Sequence, residues 1–224
     1  AMDFEPRWDP AGKFLFCLSK RHIDPLLDAF EFNFVNLNPT VVCALPLAEG
    51  TPPPIPAMAA AAGFDLEVWA KPPQGDDAEN GSNAEETATV KGAGKQPTPA
   101  PVKFEFTASL SDRVALLLIE PGEISSLEAV HGGLLYMRRK PQTLNEEIWP
   151  PPPLGVPGAA LHRVTLVDGE DTPLITDLSA YAMSRDGSTV LAAAGERLVV
   201  LHPGEAHAGG EAASAEAAEA LDLS

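Results

Sequence analysis

The feature that most constrains the fold of this chain is a recurring pair of short apolar strands joined by a tight turn that ends in glycine. The turn glycines are Gly12, Gly132 and Gly187, and a run of β-forming residues follows each one. Glycine supplies the positive φ that such hairpin turns need. The last two lie 55 residues apart, a length that suits one four-stranded sheet with generous loops. The repeat therefore predicts a series of similar antiparallel sheets.

No segment shows sustained apolar spacing at the helical period, and many short apolar runs are bounded by turn residues. These patterns predict an all-β sandwich, barrel or propeller, and the repeat favours the propeller. We expect a partial β-propeller of about three four-stranded antiparallel blades. The first blade would comprise residues 3–49 with 102–121, the second 122–178, and the third 179–224, including an acidic Ala/Glu tail.

Residues 50–101 differ from the rest of the chain. They contain three consecutive prolines, an alanine tract, and a long stretch rich in Gly, Asp, Glu, Asn, Pro and Thr. Such a composition buries too little apolar surface to offset the entropy lost on ordering. The sequence therefore predicts a long, mostly disordered insertion that leaves the first blade.

The charge of the chain excludes several classes of partner. There are 32 acidic residues against 15 basic ones, for a formal net charge of −17. Nucleic acids and anionic membranes are bound through Lys and Arg, so we expect neither as a partner. Because the sequence has no long apolar run and no basic-then-apolar start, it predicts neither a membrane span nor a signal peptide. We expect a cytoplasmic protein.

The sequence carries no signature of a catalytic, cofactor-binding or metal site. Cys17 and Cys43 lie inside apolar runs, which is typical of small buried thiols and not of a disulfide framework. The histidines lack the spacing of metal ligands, and none accompanies a Gly-x-Ser-x-Gly turn. We therefore expect no enzymatic activity from this chain alone.

One basic cluster, Arg138-Arg139-Lys140, interrupts an otherwise acidic sequence. Arg138 and Arg139 are candidates for contact with a peptide, since guanidinium groups bind carboxylates in a bidentate manner. The structural alternative is that the cluster is a solvated end of a strand, which is the commoner fate of such residues.

Several segments resemble the propellers of known proteins. The motifs Asp9-Pro10-Ala11-Gly12-Lys13 and Ser184-Arg185-Asp186-Gly187-Ser188 are similar to the repeats of TolB-like and tricorn-type propellers. The match to the tricorn protease family is closer. Residues 9–34, 102–136 and 161–202 resemble, in that order, blades of the C-terminal part of its second, seven-bladed propeller. The closing residues 221–224 resemble the segment that precedes the protease part.

This resemblance implies a role and a set of partners. Tricorn-like enzymes are large serine peptidases whose propellers gate the access of peptides to an internal active site, and their catalytic residues lie in later domains. The chain would then be a non-catalytic segment of a longer peptidase. Its partners would be passing peptides and the remaining domains of the parent. The alternative is a TolB-like protein-interaction propeller that is not attached to a protease. A stand-alone hydrolase has the least support, because no nucleophile motif appears.

An incomplete propeller leaves blade faces without neighbours. Such flat apolar faces promote association between molecules. We therefore expect the isolated chain to self-associate.

Overall fold

The computed structural model describes residues 2–27, 34–64, 110–140, 158–195 and 197–203. Within these ranges the chain forms twelve strands, one short α-helix and one 3-10 helix. The strands form a four-stranded sheet, a six-stranded sheet and a two-stranded hairpin, and every strand pair is antiparallel. The fold is all-β, as the sequence predicts.

The first sheet follows a simple up-and-down order. It contains β1 (Asp3–Trp8), β2 (Phe14–Lys20), β5 (Thr40–Pro46) and β6 (Ala115–Leu116), in that order across the sheet. Between β2 and β5 the chain makes a separate hairpin of β3 (Pro25–Leu27) and β4 (Phe34–Asn36). A 3-10 helix, Leu110–Arg113, precedes the two-residue β6.

The second sheet has six strands. They are β7 (Glu123–Val130), β8 (Gly133–Arg139), β9 (Ala159–Thr165), β10 (Asp171–Met183), β11 (Val190–Ala194) and β12 (Arg197–Leu201), and each pairs with the next.

Strand β10 joins two sheets that the sequence predicts as separate blades. Its first half pairs with β9 and its second half with β11, and Leu178 pairs with both Ala159 and Ala194. The division between the predicted second and third blades, at residues 178 and 179, therefore falls inside one continuous strand. The register shifts on both sides of Leu178, and Asp177 has a φ of 60°. Such irregularities bend a strand, so β10 passes from one four-stranded unit, β7 to β10, into a three-stranded one, β10 to β12.

Two apolar interfaces hold the three units together. The first contains Phe16 and Leu18 of the first sheet with Leu127, Leu134 and Tyr136 of the β7–β10 unit. The second contains Leu135, Met137 and Leu161 of that unit with Val190 and Val199 of the β10–β12 unit. Consecutive residues of a strand point to opposite faces, so β8 contributes to both interfaces. The β7–β10 unit is therefore packed between the other two.

The region expected to be disordered begins with ordered structure. A short helix, α1 (Pro56–Ala61), follows Ile55, which is buried in the first interface. Proline at the start of a helix costs little, because its φ is already helical, and alanine has the highest helix propensity. The part of the expected insertion at residues 50–64 therefore contains ordered structure. The remainder of the expected insertion lies outside the described residues.

Other sequence expectations fall partly or wholly outside the described ranges. These are the strand at 102–107, most of the Pro-rich loop at 141–159 and the acidic tail from residue 204. Of the strand expected within 102–120, the described part is β6.

The three turn glycines share one backbone conformation. Gly12, Gly132 and Gly187 have φ values of 71°, 72° and 72°. In two of the turns an aspartate supports the backbone, since Asp9 accepts hydrogen bonds from the amides of Ala11 and Lys13, and Asp186 accepts one from Ser188. These turns set the direction in which each following strand returns.

Gly133 offers a test of how tightly β8 and β9 pack. A Cβ atom on Gly133 would lie 2.6 Å from the backbone oxygen of Val164, whereas one on Gly132 would meet nothing within 4 Å. We expect Gly133→Ala to lower the free energy of unfolding by about 3 kcal/mol, because the backbone must shift. Gly132→Ala should cost about 1 kcal/mol, from its left-handed φ alone. Urea unfolding measures both free energies, and equal losses in the two variants would contradict the close packing at Gly133.

Candidate functional site

The first strand of each of two units, β1 and β7, contains a β-bulge. Glu5 in β1 and Ser126 in β7 have positive φ values of 50° and 55°. The pairing register shifts between Phe4 and Arg7 and again between Ser125 and Glu128. A bulge takes backbone groups out of the ladder, and these groups then need other partners.

Side chains from both neighbouring units form hydrogen bonds with the backbone at the Ser126 bulge. The amide of Leu127 donates a hydrogen bond of 2.7 Å to Oε2 of Glu5, and the hydroxyl of Tyr181 donates one of 2.5 Å to the oxygen of Ser126. Arg7 and Glu128 add an ion pair with an Nε–Oε2 distance of 3.0 Å. Burial raises the pKa of Tyr181, so its hydroxyl remains a donor. Side chains of β1 and β10 thus both bond to the bulge of β7.

A polar cluster lies across β8, β9 and β10. Tyr136 and His162 are paired residues whose rings stack with centroids 5.4 Å apart. Asp171 accepts a hydrogen bond of 2.7 Å from the hydroxyl of Tyr136, and its other oxygen lies 2.9 Å from Nδ1 of His162. Arg138 lies 3.5 Å from the same carboxylate. Three side chains therefore meet around the carboxylate of Asp171.

The cluster keeps Asp171 ionised. Burial raises the pKa of this carboxyl group, but the hydrogen bonds from His162 and Tyr136 and the charge of Arg138 outweigh burial, and the net pKa lies below its ordinary value. The pKa of Tyr136 is raised by burial and by the neighbouring carboxylate. Tyr136 therefore acts as a hydrogen-bond donor and not as a base.

A groove opens beside this cluster, at the end of β8. It encloses about 350 Å³ and is lined by Arg138, Arg139, Lys140, Gly158, Ala159, Ala160, His162, Thr176 and Asp177. The basic residues identified in the sequence therefore surround one concave surface. Their roles differ, because the Arg138 guanidinium also bonds the backbone oxygens of Glu120 and Pro121 and is largely buried. Arg138 links β8 to the backbone of Glu120 and Pro121, whereas Arg139 and Lys140 line the groove together with the carboxylate of Asp177.

The described residues contain no group of three or more His, Cys, Asp or Glu side chains that could hold a metal ion. Among the same described residues, no helix is both long and apolar enough to cross a membrane. The chemistry that the groove offers is the binding of an anion by cationic side chains.

Sequence reasoning identified the basic residues but missed the cluster that positions them. Tyr136 and His162 become neighbours through the β8–β9 register, and Asp171 through the next strand. A tyrosine inside an apolar strand was the one signal in the sequence, since a buried hydroxyl group needs a partner.

Comparison with solved structures identifies the fold. The crystal structure of the tricorn protease matches 99% of this chain with a TM-score of 0.59 and 16% sequence identity. This chain spans 17% of the length of that protein. No protein-family model matches the sequence, and no curated protein matches it either. At this identity the likeness shows the fold alone, so the chain has a tricorn-like, propeller-type β-fold.

Removal of the central carboxylate tests the cluster. We expect Asp171→Asn to lower the free energy of unfolding at pH 7 by about 3 kcal/mol, because two charge-assisted hydrogen bonds are weakened. The lowered pKa of Asp171 stabilises the folded state above about pH 4, and this contribution is lost as the pH falls through that pKa.

Between pH 7 and pH 3, the free energy of unfolding should therefore fall less steeply in the Asp171→Asn variant than in the wild type (roughly the range over which carboxylates titrate). Asp24→Asn, at an exposed position, is the matched control and should change stability by less than about 0.5 kcal/mol. Denaturant unfolding over this pH range measures both. Parallel curves for wild type and Asp171→Asn would contradict the role of this carboxylate.

Proposed function

We propose that this chain is a non-catalytic propeller segment of a tricorn-like serine peptidase, where it shapes the passage through which peptides reach an internal active site. The fold likeness to the tricorn protease supports the proposal. So does the side-by-side packing of three β-units, which is how propeller blades are arranged. The division into blades at 3–49 with 102–121, 122–178 and 179–224 belongs to the same proposal.

The main support for the proposal is that the outward face of the β10–β12 unit is apolar. Its side chains form two adjoining rows that are apolar throughout, Ala180–Ala193–Leu198 and Ala182–Leu191–Val200. No described sheet covers this face, and Leu191 is 37% exposed. A flat apolar sheet face of this kind is what a further blade would bury. The chain therefore fits one part of a larger ring.

The remaining domains of the parent would supply that further blade. In the isolated chain no sheet of the described residues covers the face, so a second copy of the chain would take the place of that blade. The proposed self-association follows from the same apolar rows.

The groove at the end of β8 provides a contact for peptides. Arg139 and Lys140 present positive charge on a molecule with a net charge of −17. These two cations would attract a peptide carboxylate, whereas the net negative charge of the chain as a whole repels it. Arg138, held by Asp171 and Glu120, fixes the strand end that carries Arg139. The groove would thus contact the C-terminal carboxylate of a peptide in passage.

The β3–β4 hairpin favours the second candidate, a protein-interaction propeller of the TolB type. Its apolar residues protrude into solvent, with Leu27 51% and Phe34 76% exposed, and Ile23, two residues before the hairpin, is 77% exposed. Exposed apolar groups at a loop are typical of contacts between proteins. The coding sequence that follows residue 224 separates the candidates, since a serine-peptidase region is required by the first and absent in the second.

Self-association is tested at the apolar face. We expect the purified chain to sediment as a dimer or larger species, and Leu191→Glu to shift it to the monomer, because a carboxylate cannot be buried unpaired in such a contact. Val167→Glu changes an exposed apolar residue in a turn and is the matched control. Analytical ultracentrifugation measures the outcome. A monomeric wild-type chain would contradict the proposed use of this face.

Peptide binding is tested with one peptide in two forms, carrying a free C-terminal carboxylate or an amide. We expect the free acid to bind at least about tenfold more tightly, and Arg139→Ala to remove that preference, because the charge pair is lost. Arg185→Ala, in an exposed turn, is the control for loss of one positive charge. Isothermal titration calorimetry gives the affinities.

The chain should cleave neither form of the peptide. Turnover that one serine substitution abolishes would contradict the non-catalytic role, and equal binding of acid and amide would contradict the groove.

A further inference from the structure

The two cysteines occupy directly opposed positions on neighbouring strands. Cys17 of β2 pairs with Cys43 of β5 in an unbroken register of seven residue pairs. The amide of Leu47 donates to the oxygen of Lys13 in the same ladder. Because hydrogen-bonded pairs alternate along an antiparallel ladder, Cys17 and Cys43 form a hydrogen-bonded pair. The Cα atoms of such a pair lie about 5.5 Å apart, inside the range that a disulfide bridges.

The two thiols are paired across the strands but differ in environment. Both are free in this structure, and each affects the ionisation of the other. Cys17 is partly exposed, whereas Cys43 is fully buried. A small oxidant in solvent therefore reaches Cys17 first.

The charges around the pair favour ionisation of Cys17. The neighbouring Cys43 thiol lowers the pKa of the Cys17 thiol, and nearby Arg21 lowers it further, against the effects of burial and of Asp3. The Cys17 thiol in turn raises the pKa of Cys43. Arg21 is held in place by hydrogen bonds of 2.7 Å to Ser19 and 2.8 Å to Asp3. Thiolates are the nucleophilic form of cysteine, so Cys17 is the reactive member.

We propose that Cys17 and Cys43 are a redox modification site, in which a peroxide oxidises Cys17 and Cys43 then closes an intramolecular disulfide between β2 and β5. In the first step the Cys17 thiolate attacks hydrogen peroxide, an S–O bond forms, the O–O bond breaks, and hydroxide leaves. The sulfur loses two electrons and the peroxide gains them.

In the second step the sulfur of Cys43 attacks the Cys17 sulfenic acid. The S–S bond forms, the S–O bond breaks, and the thiol proton of Cys43 leaves with the hydroxyl group as water. Oxidation of Cys17 has by then removed the negative charge that opposed ionisation of Cys43. Cross-strand Cβ atoms lie about 4.5–5.5 Å apart, so closure must draw the strands slightly together. A disulfide strained in this way is readily reduced by thiols, and the modification is reversible.

The test treats the reduced chain with one equivalent of hydrogen peroxide and counts free thiols after unfolding. We expect both thiols to disappear, peptide mapping to show a Cys17–Cys43 bond within one chain, and dithiothreitol to restore them. This measurement needs no variant, so it does not depend on the folding of a mutant.

Two variants then separate the roles of the thiols. Cys43→Ser should leave Cys17 as a sulfenic acid that dimedone traps, whereas Cys17→Ser should leave Cys43 reduced and at least about tenfold slower to react. Thermal unfolding of each variant checks that it is folded. Retention of both thiols in the wild type, or disulfides only between different chains, would overturn the proposal.

Discussion

The structure depends on one strand that is buried on both faces. Strand β8 contributes Leu134 and Tyr136 to the interface with the first sheet, and Leu135 and Met137 to the interface with the β10–β12 unit. Because both faces are buried, residues 133–137 of this strand are apolar apart from the Tyr136 hydroxyl, where a half-exposed strand would alternate. Loss of either interface would therefore expose one apolar face of the β7–β10 unit to solvent.

Burial on both faces restricts where polar groups can lie. At one edge the bulge at Ser126 releases a donor and an acceptor, which Glu5 and Tyr181 of the flanking units satisfy. Elsewhere in the same unit, the hydroxyl of Tyr136 needs a partner, and Asp171 supplies it together with His162 and Arg138. Unpaired polar groups would be costly in both places, so the hydrogen bonds also fix how the units are placed against each other.

The candidate functional surfaces follow from this arrangement. The groove near Arg139 lies at a strand end that the Asp171 cluster holds in position. The apolar rows around Leu191 lie on the outer face of the last unit, where the stacking that buries β8 would continue with another sheet. The opposed thiols lie on β2 and β5 of the first sheet, away from both surfaces in the fold.

The sequence by itself determined the all-β class, the approximate positions of most described strands, and the turns at Gly12, Gly132 and Gly187. These features are local, since an apolar run and the residues that end it lie within a few positions of each other. It also identified Arg138 and Arg139 as a basic cluster.

Only the tertiary structure decided the continuity of β10, the helix after Ile55, the meeting of Tyr136, His162 and Asp171, and the pairing of Cys17 with Cys43. Each of these depends on the register between strands or on packing between sheets. Register is set by contacts between residues distant in the chain, and no pattern within a single run of residues contains it.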